Sequence, residues 1–342
     1  MAPIKEVKSM SSLISITKHR EIRTILFLVL LFLIVGIVNP DFLAISNIEN
    51  AVKNSLLYIV LAVGITFVLL TGEIDISVGG ILGLSAAVSG MFLRDGGSVF
   101  LAILMAIVIG GVIGLINGLG VTKLRISSFI MTLGMLEITR VVQVIYTNGK
   151  WVENLPKTFK QLSQSSILDV NTLGIIVIAA VILIHFFLVN SRRGRYFAAI
   201  GDNQDGAVLI GIPVKRYKIL AFVISGICAA VAGLIFASQI GFISTTAGAG
   251  IEMTVIAAAV LGGVSLSGGI GSVIGASIGA IIMSSINSAL VFLKVPAFWN
   301  SAISGLLLII IVVADVLIVR RANKKANKER LNARILNYQE GA

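Results

Sequence analysis

Long apolar runs separated by short polar breaks fill most of this chain. A helix needs about 20 apolar residues to cross the hydrocarbon core of a bilayer, and windows of that size recur along the sequence. The ten predicted spans are 24–38, 55–71, 76–93, 98–121, 126–147, 172–190, 219–240, 251–266, 269–293 and 297–319. The pattern predicts an all-α integral membrane protein with about ten transmembrane helices.

Two features interrupt this regular pattern. The run 251–266 is short and opens with the carboxylate of Glu252, so it predicts either a full span or a re-entrant, broken helix. The glycine-rich segments 71–80 and 261–269 break apolar runs at matching places in the two halves of the chain. Glycine-interrupted segments in matching positions are typical of transporters built from repeats. We therefore expect an inverted repeat with broken helices.

The positions of Lys and Arg orient the chain in the membrane. With both termini in the cytoplasm, most of the 27 basic residues fall on the cytoplasmic side, as they do in membrane proteins generally. This divides the chain into a cytoplasmic segment 1–23, a permease domain 24–319 with a cytoplasmic insert at 191–218, and a basic cytoplasmic tail 320–342. The net charge of +11 is thus a topology signal first, and contact with anionic membrane lipid is a secondary reading.

Composition excludes several classes of protein. The chain is 57% hydrophobic and 13% charged, with a mean hydropathy of +1.02, whereas soluble chains average about 25% charged residues. A soluble enzyme and a nucleic-acid-binding protein are both excluded on this ground. The single cysteine, Cys228, forms no internal disulfide, and the sequence has neither a phosphate-binding loop nor a paired metal-ligand motif. We expect no catalytic residue, metal or cofactor on this chain.

A few polar residues lie within or beside the apolar runs, where charges are costly and need a reason. Glu137 and Arg140 are three residues apart, which favours an ion pair on one helix face or a lining of the solute pathway. Glu252 stands at a helix start, and Glu73 and Asp75 fall at a break where solvated loop carboxylates are expected. The candidate pathway residues are Asn117, Glu137, Gln239, Glu252 and Asn287.

The insert 191–218 is rich in small residues and contains a cluster typical of a helix start. It predicts a short surface helix that begins near Asn203 and docks another protein. The candidate docking residues are Gly201, Asp202, Asn203, Asp205, Gly206, Ala207 and Gly211.

Four ordered segments resemble the permease subunits of bacterial ABC sugar importers of the ribose, xylose and autoinducer-2 branch. The segments are GDNQDGAVLIGI at 201–212, LTGEIDISVGG at 70–80, ISSFIMTLGML at 126–136 and AAAVLGGVSLSGGIGSVIGA at 257–276. Gly206 replaces the usual first alanine of the docking motif, and Glu73 stands where a second glycine is usual.

The resemblance implies a complex in the bacterial inner membrane. It implies a second permease subunit, identical or different, two cytoplasmic ATPases that bind the ATP, and an extracytoplasmic solute-binding protein. The segments 147–162 and 237–253 look most like those of the C subunits of autoinducer-2 importers, so the implied solute is autoinducer-2. A rhamnose or pentose importer is the alternative within the same branch.

Rival classes fit the residues less well. A stand-alone secondary transporter would couple solute to ions through Glu137 or Glu252, but it would leave the docking-like insert without a role. A receptor or structural membrane protein leaves the glycine-broken spans without a role, and a membrane enzyme lacks a catalytic constellation.

Overall fold

The computed structural model describes residues 9–167 and 170–296, together with residue 299 and scattered positions between 302 and 313. Residues 1–8, most of the predicted span 297–319 and the predicted tail 320–342 lie outside the described residues. Predictions for those parts of the chain stay predictions.

The described residues form helices joined by short turns. The helices are α1 (Ser9–Val38), α2 (Ile45–Leu70), α3 (Val78–Arg94), α4 (Val99–Thr122), α5 (Ser128–Tyr146), α6 (Lys157–Gln164), α7 (Thr172–Asn190), α8 (Arg192–Asp202), α9 (Gln204–Leu209), α10 (Val214–Ile240), α11 (Ile251–Leu261) and α12 (Val273–Phe292). A 3-10 turn covers Pro40–Leu43, and a ladder of two-residue strands pairs Ser166–Ile167 with Val170–Asn171.

Six of these helices are long and apolar enough to cross a membrane: α2, α4, α5, α7, α10 and α12. Shorter apolar helices cover Thr24–Val38 within α1, all of α3 and all of α11. Nine of the ten predicted spans therefore coincide with helices in the part of the chain that the structure describes. The predicted class, an all-α integral membrane protein, is confirmed.

Several helices begin earlier than the hydrophobic windows predicted. α1 starts at Ser9, α2 at Ile45 and α10 at Val214, because polar residues continue a helix beyond the apolar stretch that marks the membrane. Of the two alternatives for 251–266, the structure has the short helix and not a full span. α11 has 11 residues, about 16 Å at 1.5 Å per residue, and the hydrocarbon core is about 30 Å thick.

Close glycine contacts hold the centre of the fold together. α10 packs against α2, α3 and α4. A Cβ atom built on Gly110 of α4 would lie 2.2 Å from the carbonyl oxygen of Gly226 on α10, and one on Gly114 would lie 2.3 Å from that of Phe222. Only glycine permits this approach, so the glycine stripe of α4 marks a helix–helix interface, as small residues do in membranes.

The pair of helices α2 and α3 has an inverted counterpart in α10 and α11. Lys53 near the start of α2 accepts a hydrogen bond from Gln239 near the end of α10, so these two helices are antiparallel. A non-helical segment follows each of them, 71–77 after α2 and 241–250 after α10, and each segment leads into a short helix, α3 or α11. This arrangement is that of the predicted inverted repeat.

The predicted pairing of equivalent breaks in the repeat is wrong. The sequence pattern paired 71–80 with 261–269, which share a glycine-rich composition, whereas the counterpart of 71–77 in the fold is 241–250. The starts of α3 and α11 meet directly: a Cβ on Gly79 would lie 2.6 Å from the carbonyl oxygen of Gly248, and one on Gly248 would lie 2.1 Å from that of Gly79. Gly248 also has a φ of 87°, a conformation that favours glycine.

Candidate functional site

The segment 71–77 carries non-helical backbone along the first half of α5. Two of its backbone N–H groups, which have no partner within a helix, donate to side chains of α5. The N–H of Ile74 donates to Ser128 Oγ at 3.2 Å, and that of Ile76 donates to Thr132 Oγ1 at 3.1 Å. Irregular backbone at membrane depth is stable only where the protein supplies such partners. The hydroxyl groups of α5 therefore hold the entry to α3.

Asp75 lies at the centre of this segment and is fully buried. Its Oδ1 accepts hydrogen bonds from Ser77 N–H at 3.0 Å and Ser77 Oγ at 2.6 Å, and its Oδ2 accepts one from Ser225 Oγ of α10 at 2.7 Å. The expectation of a solvated loop carboxylate is wrong for this residue. The chain folds 71–77 back between helices, so the carboxylate exchanges water for protein hydroxyl groups.

Asn117 of α4, a candidate pathway residue, belongs to the same hydrogen-bond network. The structure places its side chain in the interior. Its Nδ2 donates to Ser77 Oγ at 2.9 Å, while its Oδ1 is buried and has no hydrogen-bond partner among the described residues. We call Asp75, Ser77, Asn117 and Ser225 the Asp75 cluster. It ties two helices, α4 and α10, to one break, and its hydrogen-bond donors are all neutral.

A second group of polar side chains lies further along α5. Arg140 donates to Glu137 Oε1 at 3.0 Å and to Glu252 Oε1, at the start of α11, at 2.8 Å. The predicted Glu137–Arg140 pair is confirmed, but it is not internal, because 62% of the Glu137 side chain is exposed. The buried partner is Glu252, whose side chain is 7% exposed. We call Glu137, Arg140 and Glu252 the Arg140 cluster.

The Arg140 cluster packs against the backbone of glycine residues. Glu252 Oε1 also accepts the N–H of Gly250 at 3.3 Å, which agrees with the predicted role at a helix start, while its Oε2 is buried without a partner among the described residues. A Cβ on Gly79 would lie 2.3 Å from that Oε2. Close by, Gln143 Nε2 donates to Ser244 O at 3.1 Å. The Glu252 side chain and the backbone at Gly248 therefore pack directly against the start of α3.

The remaining two candidate pathway residues lie apart from both clusters. Gln239 ties α10 to the backbone of Lys53 at 2.8 Å, and Asn287 of α12 donates to the Tyr58 hydroxyl at 3.5 Å. Both contacts join helices to each other. Sequence reasoning missed Ser77, Gln143 and Ser225, since single small polar residues in apolar runs are too common to be singled out.

The insert 191–218 folds into two short helices, α8 and α9, that precede α10. The predicted helix start is confirmed, because Asn203 precedes α9 and its Oδ1 accepts the N–H of Gly206 at 2.8 Å. Beyond the predicted small residues, the structure exposes an apolar tip. Val208, Leu209 and Ile210 are 58%, 87% and 74% exposed.

Both glycine-rich segments of the sequence meet the end of α8. A Cβ on Gly201 would lie 2.0 Å from the carbonyl oxygen of Leu70 and 2.5 Å from the backbone nitrogen of Gly269. Gly269 N–H in turn donates to Leu70 O at 3.0 Å. The insert is therefore in backbone contact with the end of α2 and with the segment between α11 and α12.

Lys218 adds a polar link between the same parts. Its Nζ contacts Glu73 Oε1 at 2.5 Å and Gln204 Oε1 of α9 at 2.7 Å. Since Glu73 belongs to the segment that carries Asp75, a displacement of α9 would pull directly on the entry to α3. Among the described residues, no three His, Cys, Asp or Glu side chains gather as metal ligands would.

Comparison with known proteins defines the class of this all-α membrane protein. The chain belongs to the family described as the permease component of branched-chain amino acid transport systems, whose profile matches residues 47–312. It is a multi-pass protein of the bacterial inner membrane.

Individual relatives are similar over most of their length. The autoinducer 2 import system permease protein LsrC of Escherichia coli (strain K12 / DH10B) is 41% identical over 300 residues, which cover 88% of each chain. LsrC of Photorhabdus luminescens is 40% identical over 300 residues, covering 88% of this chain and 91% of the relative. The resemblance found in the sequence is confirmed. No solved structure matches the chain.

Proposed function

We propose that this chain is the permease subunit of an ATP-driven importer that carries autoinducer-2 across the inner membrane. The observation that carries the proposal is the 41% identity to an autoinducer 2 import permease over 88% of both chains. Similarity of this extent covers the helices, both clusters and the insert together, rather than one shared motif.

The chemistry of the interior supports a neutral, polyhydroxylated solute. In both clusters the carboxylates are already engaged by serine hydroxyl groups, backbone N–H groups or Arg140. The partnerless oxygens of Asn117 and Glu252 are hydrogen-bond acceptors that suit a hydroxyl donor. Among the candidate pathway residues, Asn117, Glu137 and Glu252 belong to the two clusters around the start of α3. Gln239 and Asn287 instead form hydrogen bonds that join one helix to another.

Family membership implies a complex with ATPase and solute-binding partners. We assign the ATPase contact to α8 and α9, and the second permease, identical or different, completes the membrane part. The exposed tip Val208–Ile210 supports this docking, since exposed apolar groups on a cytoplasmic surface favour burial against another protein. ATP binds to the ATPases, and this chain takes no cofactor.

Coupling follows from the contacts of the insert. When the ATPases close on ATP, they would move α9, and Lys218 would pass the displacement to Glu73. The backbone contacts of Gly201 would carry the same movement to Leu70 and Gly269. The segment 71–77 and the segment between α11 and α12 would shift together, and access would switch from one side of the membrane to the other.

A rhamnose or pentose importer is the nearest alternative, and a secondary transporter driven through Glu137 or Glu252 is the alternative from another class. Neither has better support. A proton relay needs ionisable groups spaced through the membrane, and here Arg140 holds both glutamates at one level.

Uptake into proteoliposomes tests the proposal. The vesicles contain the permease, its ATPases and external binding protein, and labelled autoinducer-2, rhamnose and ribose are supplied in turn. We expect uptake of autoinducer-2 that requires internal ATP and persists with an uncoupler. Accumulation driven by a proton gradient without ATP would refute the importer, and preferential uptake of a pentose would refute only the solute.

The docking surface has its own test. Leu209→Glu places a charge on the apolar tip, where no packing is lost because the side chain is 87% exposed. We expect loss of ATPase stimulation by loaded binding protein, with unchanged membrane insertion. Leu124→Glu is the matched control, since Leu124 follows α4 at the same end and is 71% exposed. Equal behaviour of the two variants would place the ATPase elsewhere.

A further inference from the structure

An apolar cleft lies between α7 and α10, which both pack against α2. On the α7 side, Val177 and Val181 are buried in the cleft, while Ile176 and Ala180 are exposed at its rim. α7 has a mean hydropathy of 2.9 and is only 17% buried, as expected of a helix that faces lipid. The cleft therefore opens toward the hydrocarbon core of the membrane.

The dimensions of the cleft suit a single hydrocarbon chain. Along α7 it runs from Leu173 to Ile184, about 16 Å at 1.5 Å per residue, and one leaflet of the hydrocarbon core is about 15 Å thick. Its volume is about 190 Å³, and every lining side chain except Cys228 is aliphatic. An apolar cavity of about 150 Å³ already holds benzene, whereas a helix with its side chains is about 10–12 Å across. The cleft thus fits part of an acyl chain and is too small for a helix of another protein.

Lys53 lies beyond the end of the cleft that is opposite the insert. It precedes Val60, a lining residue of α2, by seven positions, so both stand on the same face of the helix, about 10 Å apart. Its backbone oxygen accepts the hydrogen bond from Gln239, which is one turn beyond Ile235 of the α10 wall. Lys53 is thereby held at the point where α2 and α10 extend past the cleft.

Lys160 of α6 stands at the same end. A Cβ built on Gly241, the residue that follows α10, would lie 3.4 Å from the Lys160 Nζ. Within the described part of the chain, neither Lys160 nor Lys53 forms a salt bridge with a carboxylate. Two uncompensated ammonium groups therefore flank one end of an apolar cleft.

We propose that the cleft binds one acyl chain of an anionic phospholipid, whose phosphate is bound by Lys53 and Lys160. A phospholipid carries its charge at the end of its chain, and basic groups beside pockets between transmembrane helices bind anionic headgroups. The bound chain fills the space between α7 and α10, so it stabilises the folded protein by mass action. The site is separate from the solute and from the ATPase contact.

Photo-cross-linking of the unmodified chain tests the site. The purified protein, in phosphatidylcholine nanodiscs, receives phosphatidylglycerol with a diazirine on one acyl chain, and the labelled residues are mapped by mass spectrometry. We expect label near Val177 and Val231, displaced by plain phosphatidylglycerol and not by added phosphatidylcholine. Val108 of α4, which is 53% exposed, is the internal comparison. Equal label there, equal displacement by both lipids, or a cleft without label because a protein helix covers it would each overturn the proposal.

Substitution at the rim provides a matched pair of variants. Ala180→Trp fills the cleft, whereas Ala179→Trp points elsewhere, because both alanines are exposed at the same depth of α7 and only Ala180 lines the cleft. We expect Ala180→Trp to lose the cross-link and the rise in melting temperature that phosphatidylglycerol gives the unmodified chain. Ala179→Trp should keep both. Equal behaviour of the two variants would contradict the proposal, and the unmodified chain remains decisive if Ala180→Trp does not fold.

The headgroup contact has a separate readout. Lys53→Gln with Lys160→Gln should lower the preference for phosphatidylglycerol over phosphatidylcholine about tenfold, since each basic residue near an anionic lipid contributes several-fold. Lys150→Gln with Lys294→Gln is the control, because it removes the same charge from exposed lysines that do not border the cleft. An unchanged preference in the first variant, or an equal loss in both, would refute the anionic ligand.

Discussion

The Asp75 and Arg140 clusters hold buried carboxylates in two different ways. Asp75 is surrounded by neutral donors, from Ser77 and Ser225, and has no net compensation for its charge within the cluster. Glu252 is compensated by a guanidinium group that also reaches an exposed glutamate. Hydrogen bonds from short side chains fix the segment in one position, because Ser77 holds one carboxylate oxygen from within the segment and Ser225 holds the other from α10. An ion pair on a long arginine side chain permits rearrangement.

The two clusters therefore suit different tasks. The Asp75 cluster anchors the start of α3 to α4 and α10 and, through Glu73 and Lys218, lies next to the insert. The Arg140 cluster lies at the junction of α3, α5 and α11 and includes the exposed Glu137. We expect the first to determine whether the break forms and the second to respond when the pathway opens.

The largest effect should follow from removing Arg140. Arg140→Leu leaves Glu252 buried without its cation, and breaking a buried pair in this way costs about 3–5 kcal/mol. We expect a strongly lowered melting temperature in detergent. Arg140→Leu with Glu252→Leu should recover much of it, whereas Arg140→Leu with Glu137→Gln should not. Equal recovery by both double variants would mean that the exposed pair, and not the buried one, closes the junction.

A smaller effect is expected at Asp75. Asp75→Ala removes the acceptor for two hydroxyl groups and one N–H group, and unpaired buried donors cost about 1–3 kcal/mol. Asp75→Asn is the matched control, because its carbonyl oxygen still accepts and Ser225 can turn its hydroxyl to accept from the amide. We expect the alanine variant to melt below the asparagine variant and to lose coupling between ATPase and transport. Similar melting of both variants and the unchanged chain would show that the anchor lies elsewhere.

The smallest effect on stability is expected at Glu137. Exposed ion pairs contribute about 0–1 kcal/mol, so Glu137→Gln should leave the melting temperature of the isolated chain nearly unchanged. Its effect on uptake should exceed its effect on stability, the opposite of the order for Arg140→Leu. A loss of stability as large as that of Arg140→Leu would remove the distinction between the exposed and the buried partner.

The sequence was sufficient for the helices and insufficient for the pairing of polar groups. Apolar runs predicted a helix at each of the nine spans that the described residues can test, because helix formation across a membrane depends on local hydrophobicity. Helical spacing also predicted the Glu137–Arg140 contact. The Arg140–Glu252 pair joins residues 112 positions apart, and no local rule connects them.

The two errors have the same physical origin. Asp75 was expected in solvent because it lies in a glycine-rich break that was predicted to be cytoplasmic, and the break was expected to match 261–269 because both are glycine-rich. Local composition indicates that a helix ends but not where the chain goes next. Segment 71–77 turns inward along α5, where Ser128 and Thr132 supply the hydrogen bonds, and those partners lie more than 50 residues away in sequence.

By itself, the sequence determined that this chain spans the membrane many times, that a short surface helix begins near Asn203, and which family the motifs resemble. These properties depend on neighbouring residues and on the bilayer as solvent. The tertiary structure alone decided which carboxylate is buried, which cation faces it, and how the insert contacts the end of α2 and the segment between α11 and α12. Burial and pairing of polar groups depend on contacts between distant segments, and those contacts exist only once the helices have packed.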